Sequence, residues 1–364
     1  MRRSLARLRL SALPIVQCAL GAALAWFVAH DIIGHALPFF APTAAVVSIG
    51  ISFGARLKRS VELVVGVAVG IGIGDLFISR AGTGVWQIAL VVAVAMALAV
   101  FLDGGSIITM QAAGSAVLVA TLMPPSAGGS LSRMIDALVG GLVGVVMVAA
   151  IPLHPVRRAR DHAAQVLAVL GDGLSRCADG LLEQDPDKIR AALAAARATQ
   201  PQIDSLRSTL EGGREISRIS PLYWNSRARL ERIRATADPL DNAVRNARVL
   251  LRRSLTLVND DEILDPRLID EVDGLARAVR VVRAMMLADP GEQPDRAEAA
   301  RALRTVAKGA RPELVAGAGL SAHVVFAQLR SIVVDLMQVC GMQRISAIAL
   351  LPPTVPNPYV RPQD

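Results

Sequence analysis

The chain has 364 residues, of which 53% are hydrophobic and only 3% aromatic, and its mean hydropathy is +0.45. This composition is too apolar for an ordinary soluble enzyme of this length and indicates a membrane protein. The net charge of +8 does not indicate a nucleic-acid-binding protein, because no helix-turn-helix, zinc-finger or RNA-binding signature accompanies it. We therefore expect the lipid bilayer, and no nucleic acid, among the partners of this chain.

The charged residues are distributed unevenly along the chain. Residues 1–155 contain nine Lys and Arg and five acids, whereas residues 156–364 contain thirty and twenty-six. This difference predicts a membrane domain at 1–155 and a charged helical domain at 156–345. The Pro-rich end, 346–364, is predicted to be extended or disordered. The three cysteines are far apart and indicate neither a disulfide framework nor a metal site.

The predicted fold class is all-α, with six transmembrane helices followed by a cytoplasmic helical bundle. Apolar runs that could cross a bilayer as helices fall at about 12–30, 37–55, 60–79, 85–102, 106–124 and 133–153. The second run contains Pro38 and Pro42, so we expect its helix to be kinked or to start late. Further amphipathic helices are predicted at about 223–257, 267–288, 294–310 and 320–343.

Basic residues predict the orientation of the six helices. Most of them precede the first run, lie between the second and third, or follow the sixth, and only Arg80 and Arg133 fall in the opposite set of loops. Because basic loops stay in the cytoplasm, both termini and the helical domain are predicted to be cytoplasmic, with the six helices in the inner or plasma membrane of the cell.

Two stretches repeat one pattern 74 residues apart, RSVELVVGVAVG from Arg59 and RMIDALVGGLVG from Arg133. Each has an Arg, an acid three residues later (Glu62 or Asp136), and glycines seven and eleven residues later. The pattern predicts a repeat of three helices. Because each copy has an odd number of helices, the second copy would have the opposite orientation in the membrane. This inverted repeat is common among secondary transporters.

The glycines in these stretches are predicted to serve helix packing. A nucleotide-binding loop is excluded because no strand precedes the glycines and they lie within an apolar run. Glycines four residues apart leave a groove for a neighbouring helix. The five packing candidates, which would let the third and sixth helices approach each other or a partner subunit, are Gly66, Gly70, Gly74, Gly140 and Gly144.

Seven polar residues are candidates for substrate binding or ion coupling. In one interpretation, Glu62 and Asp136 form local ion pairs with the Arg one turn before them. In the other, these acids bind and release protons while the arginines attract an anion. Arg56 and Arg59 either set the orientation or form a basic vestibule that concentrates organic anions. Asp103 either ends its helix or contributes to a site, and Gln111 is a polar candidate for a transport pathway. The set is Arg56, Arg59, Glu62, Asp103, Gln111, Arg133 and Asp136.

A stretch of the membrane domain resembles the fusaric acid resistance or aromatic acid exporter family. It runs from FFAPTAAVVSIGISFG through a basic loop to RSVELVVGVAVGIGIGD, and SPLYW occurs later in the chain. The residues that carry the resemblance are Pro42, Arg56, Arg59, Gly66 and Gly70. The chain looks like a half-size member of this family, which implies a homodimer.

The resemblance implies proton-driven efflux of aromatic carboxylic acids or similar organic anions. No phosphate-binding loop or catalytic motif occurs in the sequence, so we expect neither an enzyme nor a cofactor. Two alternatives remain open at this point. The chain could be a passive organic-anion channel, similar in outline to plant malate channels, or a membrane scaffold that transports nothing.

Overall fold

The computed structural model describes residues 2–50, 56–82, 84–102, 105–122, 129–150, 155–219, 227–289 and 294–361. These residues form helices joined by turns and loops, with no strand among them, in agreement with the all-α fold class. Internal contacts divide the chain into two compact units. Unit 1 comprises Met1–Leu153 and Glu211–Trp224, and unit 2 comprises His154–Leu210 and Asn225–Asp364.

The first six helices of unit 1 coincide with the six predicted apolar runs. They are α1 (Arg2–Phe27), α2 (Phe40–Gly50), α3 (Arg56–Ala81), α4 (Val85–Leu102), α5 (Ser106–Leu122) and α6 (Gly129–Ala150). One π-helical turn, Val28–Ile32, extends α1. Helix α2 begins three residues later than its apolar run, because Pro38 lies before it and Pro42 is accommodated in its first turn.

Unit 1 exposes large apolar side chains and buries small ones. Val85, Phe101 and Met110 are 90, 84 and 78% exposed, whereas Ala95 and Ala112 are completely buried. A surface of this kind is suited to lipid, because exposing so many large apolar side chains to water would be strongly unfavourable. Helices also satisfy their own backbone hydrogen bonds, which the hydrocarbon region requires.

Among the described residues, three helical segments are long and apolar enough to cross a membrane. They are Ile15–Ile32, Val85–Leu102 and Leu320–Val339. The first two lie in unit 1 and have only 22 and 17% of their residues buried. The third lies in unit 2 and is 61% buried, so other parts of unit 2 cover most of its apolar surface. Helices α2, α3 and α5 contain shorter apolar stretches.

Unit 2 contains the remaining long helices. They are α7 (Pro155–Leu182), α8 (Pro186–Arg197), α9 (Gln200–Ile219, whose end belongs to unit 1), α10 (Arg227–Asn259), α11 (Pro266–Leu287), α12 (Arg296–Gly309) and α13 (Leu320–Val339). Aspartates begin three of them: the side chains of Asp185, Asp265 and Asp295 each accept a hydrogen bond from a backbone N–H of the first turn. These caps satisfy donors that would otherwise have no partner at the helix start.

A single apolar core holds unit 2 together. Helix α10 packs on α13 and α7 packs on α11, while α10 also contacts α7 and α8. Leu167, Leu250, Leu275 and Leu336 are completely buried in this core. Burying a leucine side chain contributes roughly 1.5–3 kcal/mol, so the apolar faces of these helices account for the stability of the bundle.

The segment 346–364 continues from a short helix, α14 (Arg344–Ile348). Leu351 is 7% exposed, and the carbonyl of Pro352 accepts a hydrogen bond of 2.7 Å from Arg330 on α13. These contacts pack the first part of the segment against unit 2. From Pro352 to Arg361 the chain is non-helical, and the sequence-based prediction of an extended or disordered end stays a prediction.

The thiol of Cys177 provides a direct test of the unit 2 core. Its side chain is completely buried, and burial raises the pKa of this thiol to about 12. Since the thiolate is the reactive form, we expect iodoacetamide at pH 8 to leave Cys177 unmodified in the native protein and to alkylate it after denaturation. Peptide mass spectrometry measures both. Rapid alkylation of Cys177 in the native protein would contradict this packing.

Candidate functional site

An acid and a histidine meet at the amino-terminal half of α6. The Nδ1 atom of His35 lies 2.6 Å from a carboxylate oxygen of Asp136, and the Asp136 side chain is only 4% exposed. His35 lies in the turn between the π-helical segment and α2. Its backbone N–H donates to the carbonyl of Ala29, and its own carbonyl lies 2.9 Å from Nδ1 of His30. Backbone contacts therefore hold the imidazole of His35 against α6.

A second ionic contact lies one turn away on the same helix. A guanidinium nitrogen of Arg133 donates to a carboxylate oxygen of Asp75 on α3 over 3.0 Å. The two side chains are 13 and 12% exposed. Buried charges are unfavourable unless they are paired, and this contact pairs two oppositely charged side chains. Helices α3 and α6 are thus joined by a charge pair next to the Asp136–His35 contact.

These four residues form what we call the α6 ionic cluster: His35, Asp75, Arg133 and Asp136. Two of its members, Arg133 and Asp136, are predicted site residues. Asp136 contacts His35 and Arg133 contacts Asp75, so each of these two residues has a contact outside α6. The local pair of Arg133 with Asp136 stays a prediction. Charged groups of this kind inside an apolar helical unit are more often functional than structural.

Glu62 is the acid of the first repeated stretch, as Asp136 is of the second. It is half-buried on α3, and a β-carbon built on Gly105 would lie 3.3 Å from its carboxylate oxygen. Gly105 directly precedes α5, so the carboxylate lies at the amino-terminal end of that helix. The positive end of the helix dipole favours a negative charge there. Glu62 therefore lies next to the start of α5, whereas Asp136 contacts the segment before α2.

The other predicted site residues have less defined surroundings. Arg56 and Arg59 lie in the first turn of α3, and their side chains are outside the described part of the structure, as is the whole of Asp103. Gln111 is half-buried on α5 and faces α3: its β-carbon would be 3.2 Å from one built on Gly66. Gln111 thus borders the interface between these two helices.

The predicted packing glycines lie at two close helix contacts. A β-carbon on Gly66 or Gly70 would come within 3 Å of the backbone oxygen of a residue on α5, and Gly74 lies against Val119 of the same helix. Gly140 and Gly144 lie in the same way against α2. The glycine faces of α3 and α6 thus contact α5 and α2. Helices α3 and α6 also contact each other, and a role of the glycines toward a partner subunit stays a prediction.

The two glycine contacts correspond residue by residue. Gly66 faces Ile108 and Gln111, and its counterpart Gly140 faces Ala41 and Ala44. One turn later, the neighbours of Gly70 are Ala112 and Ser115, and those of Gly144 are Ala45 and Ser48. Each residue on α5 is 67 positions after its counterpart on α2. The contact of α3 with α5 is therefore matched by that of α6 with α2.

Sequence reasoning missed two members of the α6 ionic cluster, His35 and Asp75. Asp75 stands at the end of the glycine run and is 9% exposed, which a pattern of helical spacing cannot show. His35 lies outside the repeated pattern. The structure adds that His30 lies within the π-helical segment Val28–Ile32 and His35 follows it, and such segments are frequent at functional sites. Among the described residues, no cluster of three His, Cys or acids forms a metal site.

Comparison with known proteins agrees with this architecture. Residues 23–147 match the family described as fusaric acid resistance protein-like. Over its whole length the chain is 38% identical to an uncharacterised protein of Corynebacterium glutamicum, of which it covers 94%. It is also 32% identical over 230 residues to putative arylamide transporters of Mycobacterium bovis and Mycobacterium tuberculosis. That match covers 61% of this chain and 64% of theirs.

Apolar helices with lipid-suited surfaces indicate a membrane protein, and the family match and the names of the relatives point to a transporter rather than to an enzyme. The chain belongs to the fusaric acid resistance protein-like family. This confirms the resemblance that the stretch from Pro42 to Gly70 indicates.

Proposed function

We propose that this protein is a secondary transporter that exports aromatic carboxylic acids or related organic anions across the cytoplasmic membrane, driven by protons. The α6 ionic cluster is the observation that carries the proposal. It places a cation able to bind a carboxylate, Arg133, one helical turn from a titratable pair, Asp136 and His35, within an apolar unit. Proton binding and anion binding can therefore influence each other directly.

The coupling would work through competition for charge. In the resting state Arg133 contacts Asp75, and Asp136 contacts His35. A substrate carboxylate that approaches Arg133 would compete with Asp75, and a proton on either acid would weaken that acid's ion pair. Loading and release of protons and substrate then change the contacts that join α3, α6 and the segment before α2. Contacts that switch in this way are what alternating access needs.

The proposal includes six membrane-crossing helices arranged as a 3+3 inverted repeat. Its support is the residue-by-residue match between the α3–α5 and α6–α2 contacts, together with the repeated Arg, acid and glycine pattern. In such a repeat Glu62 is the counterpart of Asp136, and the two acids would lie toward opposite membrane faces. The distribution of basic residues supports cytoplasmic termini.

The substrate class has two candidates. The predicted class is aromatic carboxylates, for which a cluster containing Arg133 is chemically suitable. The second candidate is aromatic amides, which the name of the mycobacterial relatives, putative arylamide transporters, favours. We further propose a homodimer, because the chain resembles one half of longer members of its family.

Flux in proteoliposomes tests the proposal. We expect uptake of benzoate by vesicles that contain the purified protein to be accelerated about tenfold or more by a pH gradient. Asp136→Asn should abolish this acceleration, because the amide cannot bind and release a proton at this site, and Glu62→Gln should reduce it. Asp31→Asn is the matched control, since Asp31 is an exposed acid close to His35 along the chain.

Each alternative gives a different result in the same assay. Anion flux that follows voltage and ignores the pH gradient would indicate a channel. Transport of benzanilide with no benzoate flux would indicate the amide class. The absence of flux with every tested anion and amide would contradict transport, and a membrane scaffold that transports nothing would be the remaining alternative.

A further inference from the structure

Unit 2 contains a cleft of about 820 Å³ that the proposed transport function does not use. Its walls come from one face of α13, from α10 and from α14 with the segment that follows it. We call it the α13 cleft, and the residues used below are Arg245, Phe326, Arg330, Ser331, Val334, Asp335, Arg344 and Leu351. Its volume falls within the range of small-molecule sites, roughly 300–1,000 Å³.

The floor of the α13 cleft is apolar and its rim is cationic. Phe326, Val334 and Leu351 are 6, 5 and 7% exposed and form a buried apolar surface. By contrast, the side chains of Arg245 and Arg344 are each 62% exposed. A ligand with an apolar body and an anionic end matches this arrangement, since its body would contact the floor and its charge the rim.

Arg330 gives the cleft a positive charge without a carboxylate partner among the described residues. Its guanidinium donates to the carbonyls of Ala310 (2.8 Å) and Pro352 (2.7 Å) and lies 5.4 Å from the centre of the Phe326 ring. These contacts fix the side chain while using only part of its five N–H donors. A half-buried guanidinium that is held by neutral groups favours an anion from outside.

Of the two rim arginines, Arg245 is paired with Asp241 over 2.8 Å, so the rim charge open to a ligand is that of Arg344. Asp335 is buried and accepts a hydrogen bond of 2.7 Å from Asn246, whereas the nearest nitrogen of Arg344 is 3.8 Å away. At that distance Arg344 is only loosely held. It can therefore turn toward a ligand carboxylate without breaking a close ion pair.

We propose that the α13 cleft is a binding site for a small amphipathic carboxylate, either aromatic or aliphatic, with its apolar part on Phe326 and Leu351 and its carboxylate at Arg330 and Arg344. Such a site would let unit 2 respond to organic acids in the solvent around it. The inference concerns unit 2 alone and stands whether or not unit 1 transports.

Calorimetry on the full-length protein in detergent tests the site, with benzoate, indole-3-acetate and octanoate as probes. We expect saturable binding of at least one probe. Its uncharged amide should bind about tenfold more weakly, because the contribution of the arginines is lost. Hydrogen exchange should show that the probe protects residues 312–315 and 344–352, which border the cleft.

Two variants probe the cleft without removing the contacts of Arg330. Ser331→Trp places a large ring in the cleft and should abolish the binding that protects residues 312–315 and 344–352, and Arg344→Gln should weaken that binding about tenfold. Arg304→Gln, an exposed arginine of α12 outside the cleft, is the matched control and should bind normally. Asp136→Asn in unit 1 should also retain this binding.

Several results would overturn the inference. They are the absence of saturable binding with all three probes, equal affinity for a carboxylate and its amide, and binding that Ser331→Trp leaves unchanged. Loss of binding in Asp136→Asn would assign the ligand to unit 1. Because Ser331→Trp leaves the α6 ionic cluster intact, flux in that variant separates failure of the cleft from failure of transport.

Discussion

Replacing Gly140 by alanine is expected to destabilise unit 1 by about 2 kcal/mol or more, although alanine is the better helix former. The preference for alanine inside a helix is roughly 0.5–1 kcal/mol, whereas forcing one additional carbon into a packed contact typically costs ~1–3 kcal/mol. At Gly140 that carbon would come within 3 Å of the carbonyl oxygen of Ala41, a backbone atom of α2. Helix α2 or helix α6 must therefore move, so the free-energy cost of the packing change exceeds the gain from the higher helix propensity of alanine.

Heating followed by size-exclusion chromatography in detergent measures this effect. Gly72→Ala and Gly114→Ala are matched controls, because both glycines lie inside helices of unit 1 and have no atom within 4 Å of an added carbon. These variants should be as stable as the parent or slightly more stable. Gly70→Ala should behave like Gly140→Ala. Equal stability of Gly72→Ala and Gly140→Ala would contradict the close contact of α6 with α2.

Replacing Asp75 by asparagine is expected to destabilise unit 1 by about 3–5 kcal/mol, the usual effect of removing one partner from a buried ion pair. The change removes the charge of Asp75 from its 3.0 Å contact with Arg133, and the two side chains are too little exposed for water to replace that carboxylate. The pair also joins α3 to α6, so we expect loss of flux as well as loss of thermal stability.

A double-mutant cycle separates the charge pair from the individual side chains. Asp75→Asn combined with Arg133→Gln removes both charges, so the double variant should be more stable than either single variant. The same thermal assay measures all four proteins. Additive losses in the double variant would mean that the two residues do not interact across α3 and α6.

The sequence was sufficient to predict the helices of unit 1 because their signal is local. A long apolar run has no alternative in lipid except a helix, so the predicted run 85–102 coincides with α4. In unit 2, an aspartate followed by proline marks the starts of α8 and α11. These features depend on neighbouring residues along the chain and need no knowledge of the tertiary structure.

The site could be predicted only in part, because its contacts join distant segments. Asp136 and Arg133 stand out as charges in an apolar run, but nothing near them in the sequence indicates His35 or Asp75 as their partners. The glycine pattern predicts close packing for α3, yet the choice of α5 as its neighbour depends on how six helices assemble. Likewise, the α13 cleft combines α10, α13 and α14, which lie up to about a hundred residues apart.

The crossed glycine contacts have a consequence for how the protein is made. The third helix of each half of unit 1 packs on the second helix of the other half, α3 on α5 and α6 on α2. When the ribosome has synthesised α1 to α3, the glycine face of α3 still lacks its neighbour. That face stays uncovered by its neighbour until α5 emerges. A chain truncated after α3 would therefore present an open groove, and quality-control proteases would be expected to remove it.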